Sequence, residues 1–299
     1  MKTKNLVAPL FVMLLWGSLF PLVKLGMNTY GVKSLGDILL FAGLRFAVCG
    51  AVICLFALAR DRSSYKEVKH SIWPTLLSGL FAVVLHYGFT YSALTLCDSS
   101  KTALIKQVGA LFYVCFSFVF FREDRPTWQK LLGAALGFLG IAAVNWNKTG
   151  FSFGLGEFLV VCASFCTVFS NVAGKNALKK VPPVTMTGVS QLFGGAVLLA
   201  IGFALGGKVR ISFEKSYIFA LICIASVISY CLWFGAVKKG ELSKLFIIKF
   251  AEPVFACIFS ALVIGENVLK IQYLVGFLLI CFGILLSELS SGLEKTLKK

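Results

Sequence analysis

Ten apolar stretches run through the chain, each about as long as a membrane-spanning helix and each followed by a short break marked by charge, Gly or Pro. A helix needs about 20 apolar residues to cross the hydrocarbon core, where it must close its own backbone hydrogen bonds. The pattern predicts an all-α integral membrane protein with ten transmembrane helices. In chain order, the predicted spans 1 to 10 are Leu6–Met27, Ile38–Leu58, Ile72–Leu94, Thr102–Phe121, Trp128–Trp146, Leu155–Ala173, Val184–Leu205, Tyr217–Val237, Leu245–Ile264 and Ile271–Leu289.

The composition excludes an ordinary soluble domain. Of the 299 residues, 58% are hydrophobic and only 14% are charged, whereas soluble domains carry about 25% charged residues. The net charge of +16 does not indicate nucleic-acid binding, because the basic residues punctuate the apolar runs instead of clustering on one solvated face. Short connecting segments also leave no room for a catalytic domain outside the membrane.

Neither a leader peptide nor a metal centre is expected. The first apolar run has span length and lacks a cleavage signature, so we expect it to be retained. The ten cysteines lie almost entirely inside apolar runs and show no C-x-x-C spacing, and there are only two histidines. We therefore expect no disulfide framework, no metal and no cofactor.

Lysine and arginine are distributed unevenly between the two sides of the predicted membrane. With the amino terminus inside, the inner segments carry 18 basic residues and the outer segments 7, which predicts that both termini are cytoplasmic. Four basic residues remain within the spans: Lys24, Arg45, Lys106 and Lys249. We expect Lys24 near the outer interface, and the other three are candidates for chemistry.

The chain repeats itself at an offset of 143 residues, with residues 86–143 matching residues 229–286. Pairs such as Lys106 with Lys249 and Glu123 with Glu266 share this register, and charged pairs are hard to obtain by chance in so apolar a chain. Five spans per half place the second half upside down relative to the first. Such inverted repeats are typical of carriers that alternate between inward- and outward-open states.

Several short motifs, in this order, resemble the EamA family of the drug/metabolite transporter superfamily. They are W-G-S-x-F-P-x-x-K at Trp16–Lys24, L-R-F around Arg45, A-E-P-V-F-A at Ala251–Ala256, and the glutamates Glu123 and Glu266. The resemblance implies a permease of ten helices that moves small organic solutes such as amino acids, with EamA-type repeats at residues 1–147 and 154–292 and a basic cytoplasmic tail at 293–299. The sequence departs from the family in span 4, where Gly109-Ala110 stands in place of the usual proline.

The repeated lysines are the first candidates for contact with substrate. Lysine in the membrane costs about 2.5 to 3.5 kcal/mol to insert and needs a cavity or a partner. Lys106 and Lys249 would flank a substrate carboxylate or phosphate across the repeat axis. The alternative is that they snorkel to the interface, which stays open for Lys106, whereas the deeper Lys249 favours the cavity.

Glu252 follows Lys249 by three residues, so the two side chains share a helix face and predict an internal ion pair beside the helix-kinking Pro253. Proton coupling by Glu252 is the alternative, and we weight the structural role above it. For His86 a buried hydrogen-bonded role and a ligand or proton-relay role stay open. The further predicted site residues are Tyr87, Tyr230, Trp233, Arg45, Gln191, Asn171 and Trp16.

Small residues in spans 5 and 10 predict close helix contact. Gly133, Gly137 and Gly140 in span 5, and Gly276 and Gly283 in span 10, follow the spacing that lets helix backbones approach each other in membranes. We expect these spans to form a scaffold and place no substrate there.

The residues favour a secondary-active carrier of a small polar metabolite, an amino acid or another carboxylate, in the cytoplasmic membrane of a bacterial cell. A carrier of phosphorylated or nucleotide-type anions is the alternative within transport. A membrane-embedded enzyme lacks a ligand set or triad, and a channel would normally need a filter string or oligomeric symmetry. The expected partners are a small-molecule substrate and the lipid bilayer, with proton coupling and a monomeric or homodimeric state left open.

Overall fold

The computed structural model describes residues 7–115, 127–144, 146–147, 150–151, 153–211, 213–239, 245–246, 248–249 and 251–297, and this part of the chain is overwhelmingly helical. Two strands of two residues, β1 (Trp146–Asn147) and β2 (Gly150–Phe151), form an antiparallel pair between the helix that ends at Val144 and the helix that begins at Leu155. The helices are α1 (Val7–Thr29), α2 (Leu35–Arg60), α3 (Ser64–His70), α4 (Ile72–Leu96), α5 (Ser99–Ile105), α6 (Val108–Cys115), α7 (Trp128–Val144), α8 (Leu155–Ala177), α9 (Pro183–Ala204), α10 (Ser216–Lys239), α11 (Ala251–Ile264) and α12 (Ile271–Leu297).

Six of the described helices, α1, α2, α4, α8, α9 and α10, are long and apolar enough to cross a membrane. They coincide with predicted spans 1, 2, 3, 6, 7 and 8 to within a few residues at each end. Shorter apolar helices lie where spans 5, 9 and 10 are predicted, namely at Leu131–Val144, Ala251–Ile264 and Ile271–Gly283. The multi-helix membrane architecture is therefore evident, while Glu123 and the end of span 4 lie outside the described residues.

The helices point apolar residues outward and polar residues inward. On α2, Leu55 and Phe56 are 67% and 56% exposed, whereas Arg45 on the same helix is fully buried. This distribution is typical of a helix bundle in a lipid bilayer, since a charged group facing lipid is costly and ionisable residues in spans face the interior of the bundle.

Helix–helix contacts follow the small residues. α2 packs on α9, where a methyl group added to Gly43, Gly50 or Gly195 would overlap the facing backbone. α7 packs on α12 in the same way: Gly140 approaches the carbonyl of Gly276, and Gly283 approaches the carbonyl of Gly133. These two contacts are equivalent at the 143-residue offset, and they confirm the predicted close approach of spans 5 and 10.

The predicted spans 4 and 9 are both interrupted at the repeated lysine. In the first half the break falls at Lys106 and Gln107, between α5 and α6, and the N–H of Gly109 donates to the carbonyl of Lys106 at 3.3 Å. In the second half Lys249 occupies a turn before α11, and the N–H of Glu252 donates to the Lys249 carbonyl at 3.0 Å. The same three-residue hydrogen bond therefore closes both breaks.

A proline accounts for only one of these breaks. Pro253 has no N–H to offer the Lys249 carbonyl four residues earlier, and its ring crowds that carbonyl. Ala110 occupies the equivalent position in the first half, yet the helix is interrupted there as well. Gly109 precedes it, packed so closely on the Ser164 carbonyl of α8 that a methyl group would overlap it. The sequence left open whether span 4 bends as span 9 does, and the structure interrupts it at Lys106 and Gln107.

Candidate functional site

Two adjoining cavities lie among α1, α2, α4, α8, α10, α11 and the two helix breaks. The lysine cavity spans about 370 Å³ between atoms, which includes space open to its surroundings, and its lining includes Ala82, His86, Thr167, Ser170, Asn171, Tyr230, Trp233, Phe234 and Lys249. The arginine cavity spans about 310 Å³ by the same measure, and its lining includes Leu19, Phe20, Val23, Arg45, Thr90, Tyr91, Leu94 and Glu252. Trp16, Tyr87 and Lys106 line both cavities and form the wall between them.

Lys249 is buried in the lysine cavity with aromatic rings around its ammonium group. Its Nζ atom lies 5.5 Å from the ring centre of Trp16, 5.8 Å from that of Trp233 and 5.4 Å from that of Phe246. Within the described part of the chain, no carboxylate or hydrogen-bond acceptor pairs with this ammonium. The ring faces attract a cation, and the charge of Glu252 also acts on the ammonium, which faces the cavity without an ion pair in the described chain.

Lys106 has a carboxylate partner. Its Nζ atom donates to Oε1 of Glu252 at 3.0 Å, with 10% of the lysine side chain exposed and none of the glutamate. The ammonium also lies 5.0 Å from the ring centre of Phe20 and 6.0 Å from that of Trp16. Lys106 therefore points into the bundle, against the alternative that it snorkels to the interface.

The partner of Glu252 corrects the sequence-based expectation. We predicted an ion pair with Lys249 on the same helix face, but the described carboxylate pairs with Lys106 of the other repeat. The physical reason is the helix break: Lys249 lies in the turn before α11, so the regular three-residue spacing of a helix face does not apply to the two side chains. The ion pair thus links the two halves of the chain.

The repeated tyrosines meet each other. The hydroxyl of Tyr230 donates to the hydroxyl of Tyr87 at 2.7 Å, so residues exactly one repeat apart are in contact. Next to them, Nδ1 of His86 lies 2.8 Å from the carbonyl oxygen of Ala163. Because that oxygen only accepts, Nδ1 carries the proton, and Nε2 has the free lone pair in the neutral ring. His86 therefore has a hydrogen-bonded role in the bundle and still lines the lysine cavity.

Asn171 and Trp233 form a polar link between α8 and α10. The indole Nε1 of Trp233 donates to Oδ1 of Asn171 at 2.7 Å, and the Asn171 amide donates to the Thr167 carbonyl at 2.7 Å. Trp16 stacks obliquely on Trp233, with the ring centres 4.9 Å apart. These contacts fix the aromatic rings that surround Lys249.

Arg45 dominates the arginine cavity. Its Nε donates to the Ser226 hydroxyl at 2.8 Å, its Nη1 donates to the Tyr91 hydroxyl, and its carbon Cζ lies 4.6 Å from the Phe46 ring centre. Among the described residues no carboxylate pairs with this guanidinium. Like Lys249, Arg45 is a buried cation whose charge is left for another group to balance.

Ten of the eleven predicted site residues line one cavity or the other, and Gln191 is the exception. Gln191 is buried on α9, where its backbone lies against Gly50 of α2, and neither its amide oxygen nor its nitrogen has a partner among the described residues. A buried amide in a span suggested function, but pattern alone does not show which face of α9 meets the cavity. Contact between Gln191 and substrate stays a prediction.

Four hydroxyl-bearing cavity residues escaped the sequence reasoning: Thr90 and Tyr91 on α4, and Thr167 and Ser170 on α8. The hydroxyls of Thr90 and Thr167 give no signal, because threonine is common in apolar spans. Tyr91 follows Tyr87 by four residues and therefore shares its helix face, which is the signal that could have identified it.

A second group of contacts joins the repeats away from the cavities. Glu266, between α11 and α12, accepts from the backbone N–H groups of Ser99 and Ser100 at 2.8 and 3.0 Å and from Lys24 at 3.2 Å. Burial raises the pKa of this carboxyl, but the Ser100 and Ser99 N–H groups and Lys24 outweigh it and hold the pKa below its usual value. Lys24, which we expected at the outer interface, is thus a paired residue.

The sequence of the chain is similar to those of proteins that are named as transporters. "Uncharacterized transporter YvbV" of Bacillus subtilis (strain 168) is 25% identical over 98% of this chain and 94% of its own length. "Uncharacterized transporter YoaV" of the same bacterium is 25% identical over 98% and 99%. "Uncharacterized inner membrane transporter YedA" of Escherichia coli (strain K12) is 22% identical over 87% and 83%. The named relatives are transporters, which argues against an enzyme.

A solved crystal structure superposes on the whole chain with a TM-score of 0.70 at 21% identity, covering 100% of both chains, which shows a shared fold. Residues 4–146 and residues 154–289 each match the EamA-like transporter family. The two matches fall on the two predicted repeats and confirm the resemblance drawn from the motifs. The chain belongs to the EamA-like transporter family, a multi-pass membrane family of the drug/metabolite transporter type.

Proposed function

We propose that this protein is a secondary-active transporter that moves a small polar organic metabolite, an amino acid or another carboxylate, across the cytoplasmic membrane by alternating access. The observation that carries the proposal is the buried ammonium of Lys249, which faces a cavity without an acidic partner in the described chain. Burying an unpaired charge is costly, so such a cation is retained where an anionic ligand compensates it.

The architecture we propose is ten spans in two inverted halves with both termini in the cytoplasm. The equivalent hydrogen bonds at the two helix breaks, the Tyr87–Tyr230 contact and the paired glycine contacts of α7 and α12 support an internal two-fold relation. Two half-structures of opposite orientation give inward- and outward-open states of similar energy. The substrate would bind near the axis, where the lysine cavity lies.

Reconstitution into liposomes tests the proposal directly. Uptake of a radiolabelled carboxylate should saturate with concentration, and preloading with unlabelled substrate should accelerate it by counterflow. The compound is chosen by a thermal-shift screen of amino acids, organic acids, nucleosides and sugar phosphates on the purified protein. An unsaturable, ohmic current would overturn the carrier mechanism, and stabilisation by none of the carboxylates would overturn the substrate class.

Phosphorylated or nucleotide-type anions are the second candidate class. One observation favours them: the ammonium groups of Lys106 and Lys249 both line the lysine cavity, and a phosphate dianion balances two cations. The Lys106–Glu252 pair argues against this candidate, because among the described residues it leaves Lys249 as the one lysine of that cavity without an ion pair. Stabilisation by sugar phosphates but not by carboxylates in the same screen would establish the second class.

A further inference from the structure

Among the described residues, buried polar atoms without a hydrogen-bond partner concentrate around the arginine cavity. Four residues of its lining each leave one such atom: Nη2 of Arg45, Nε1 of Trp16, Oγ1 of Thr90 and Oε2 of Glu252. All four residues are at most 9% exposed, and Arg45 and Glu252 are fully buried. Native interiors satisfy nearly all buried polar groups, so a cluster of exceptions on one cavity needs its own explanation.

The four atoms differ in whether they donate or accept hydrogen bonds. Arg45 and Trp16 only donate hydrogen bonds, Oε2 of an ionised Glu252 only accepts them, and Thr90 does both. Oε1 of Glu252 already accepts from Lys106, which leaves Oε2 as the available acceptor. A simple anion would satisfy the donors but would meet the carboxylate of Glu252 with repulsion. A group that carries a negative and a positive charge on neighbouring atoms satisfies all of them.

We propose that the arginine cavity binds the α-ammonium carboxylate group of an amino acid, with the carboxylate on Arg45 and the ammonium on Oε2 of Glu252. The guanidinium fork suits a carboxylate, and Thr90 and the Trp16 indole add donors to it. This inference rests on the proposed function and specifies its substrate. It also gives Glu252 a role in recognition as well as in the link between repeats.

The lysine cavity then selects the side chain of the amino acid. The two cavities meet at Trp16, Tyr87 and Lys106, so the proposed ligand, with its head group at Arg45, would extend past these residues into the lysine cavity. Lys249 is the cation without an ion pair there, and His86 and Asn171 add polar groups. A second carboxylate meets these groups best, so the substrate class is an amino acid with an acidic side chain.

Binding measured on the purified protein in detergent tests the inference without depending on transport. The probes are L-glutamate, glutarate, which lacks the ammonium group, and L-glutamine, which lacks the side-chain charge. Wild type should bind L-glutamate about 10- to 100-fold more tightly than glutarate, because glutarate leaves Oε2 of Glu252 without a partner. L-glutamine should bind more weakly than L-glutamate by a similar factor.

Three variants assign the groups separately. Glu252→Gln should bring the glutamate-to-glutarate ratio close to one. Arg45→Gln should weaken the binding of both L-glutamate and glutarate and keep the ratio of their affinities, because both ligands present a carboxylate to the guanidinium. Lys249→Gln should remove the preference for L-glutamate over L-glutamine. Ser260→Ala is the matched control, since Ser260 is a buried and unpartnered hydroxyl on the same helix as Glu252 but lines neither cavity.

Equal binding of L-glutamate and glutarate by wild type would overturn the inference while the proposed carboxylate transporter stands. Uptake and binding of neither carboxylate would count against the proposed function itself. If the arginine cavity binds only ordered water, the glutamate-to-glutarate ratio in Glu252→Gln will equal that of wild type. This result also overturns the inference. If Glu252→Gln does not fold, the binding of L-glutamate and of glutarate, compared on wild type and on Thr90→Val, still tests the inference.

Discussion

The helix break at Lys106 and the break at Lys249 have the same backbone and different surroundings. In both, the residue three positions later donates its N–H to the lysine carbonyl. Three positions after Lys249 stands Glu252, whose carboxylate turns to Lys106, whereas three positions after Lys106 stands Gly109. The duplicated chain therefore supplies two equivalent cations and a single acid.

This difference between the repeats bears on the proposed function. Two equivalent halves support two states of similar energy, but a binding site needs groups that are not equivalent. The single acid pairs with Lys106, whereas Lys249 and Arg45 form no ion pair with a described carboxylate. Under the proposed function, the symmetric part of the molecule would serve the movement between states, and the asymmetric part would serve recognition of the substrate.

Removing the paired lysine should have the largest effect on stability. In Lys106→Ala the fully buried carboxylate of Glu252 loses its partner, and breaking a buried ion pair on one side costs about 3 to 5 kcal/mol. We expect a large drop in the Tm of the purified protein at neutral pH. The double variant Lys106→Ala/Glu252→Ala should recover much of that loss, and a double variant no more stable than the single one would contradict the pair.

Removing the unpaired lysine should instead affect transport. Lys249→Gln deletes a buried cation that has no acidic partner in the described chain, so we expect an unchanged or higher Tm. Uptake of the carboxylate found in the screen should fall about 10- to 100-fold, since the lost interaction involves a charged ligand and is worth about 1.5 to 3 kcal/mol. The exposed Lys208 provides the control, and Lys208→Gln should transport at the wild-type rate.

Much of the fold and of the site could be predicted from the sequence, because scarce charged residues in a repeated register carry strong information. The lysines, the tyrosines and Arg45 all line the two cavities. The sequence pattern could not show which side chains pair between the repeats. The partner of Glu252 depends on how α11 meets the break between α5 and α6, which is a tertiary contact that helical spacing does not encode. The sequence also left the first helix break open, since Ala110 gives no signal of the kind that Pro253 gives.

Placing a side chain at Gly109 tests why the first repeat lacks the acid. A methyl group there would overlap the backbone carbonyl of Ser164 on α8, so Gly109→Ala forces the two helices apart. Overpacking of this kind costs about 1 to 3 kcal/mol, and a lower Tm should report it. Gly235 on α10 has open space around it, so Gly235→Ala is the control and should leave the Tm near that of wild type. A Gly109→Ala protein as stable as this control would show that close packing does not exclude an acid from the first repeat.

The smallest effect concerns Glu266, which also joins the repeats. Because its pKa is held below the usual value in the folded protein, its contribution to stability is complete at neutral pH and is lost as the pH falls through the carboxyl range. Glu266→Gln should therefore lower the Tm at about pH 7 by the equivalent of about 1 kcal/mol, the scale of one hydrogen bond. The difference between the variant and wild type should shrink as the pH falls toward about 4. A difference that stays constant over this interval would mean that the bonds to Ser99 and Ser100 do not depend on the charge of Glu266.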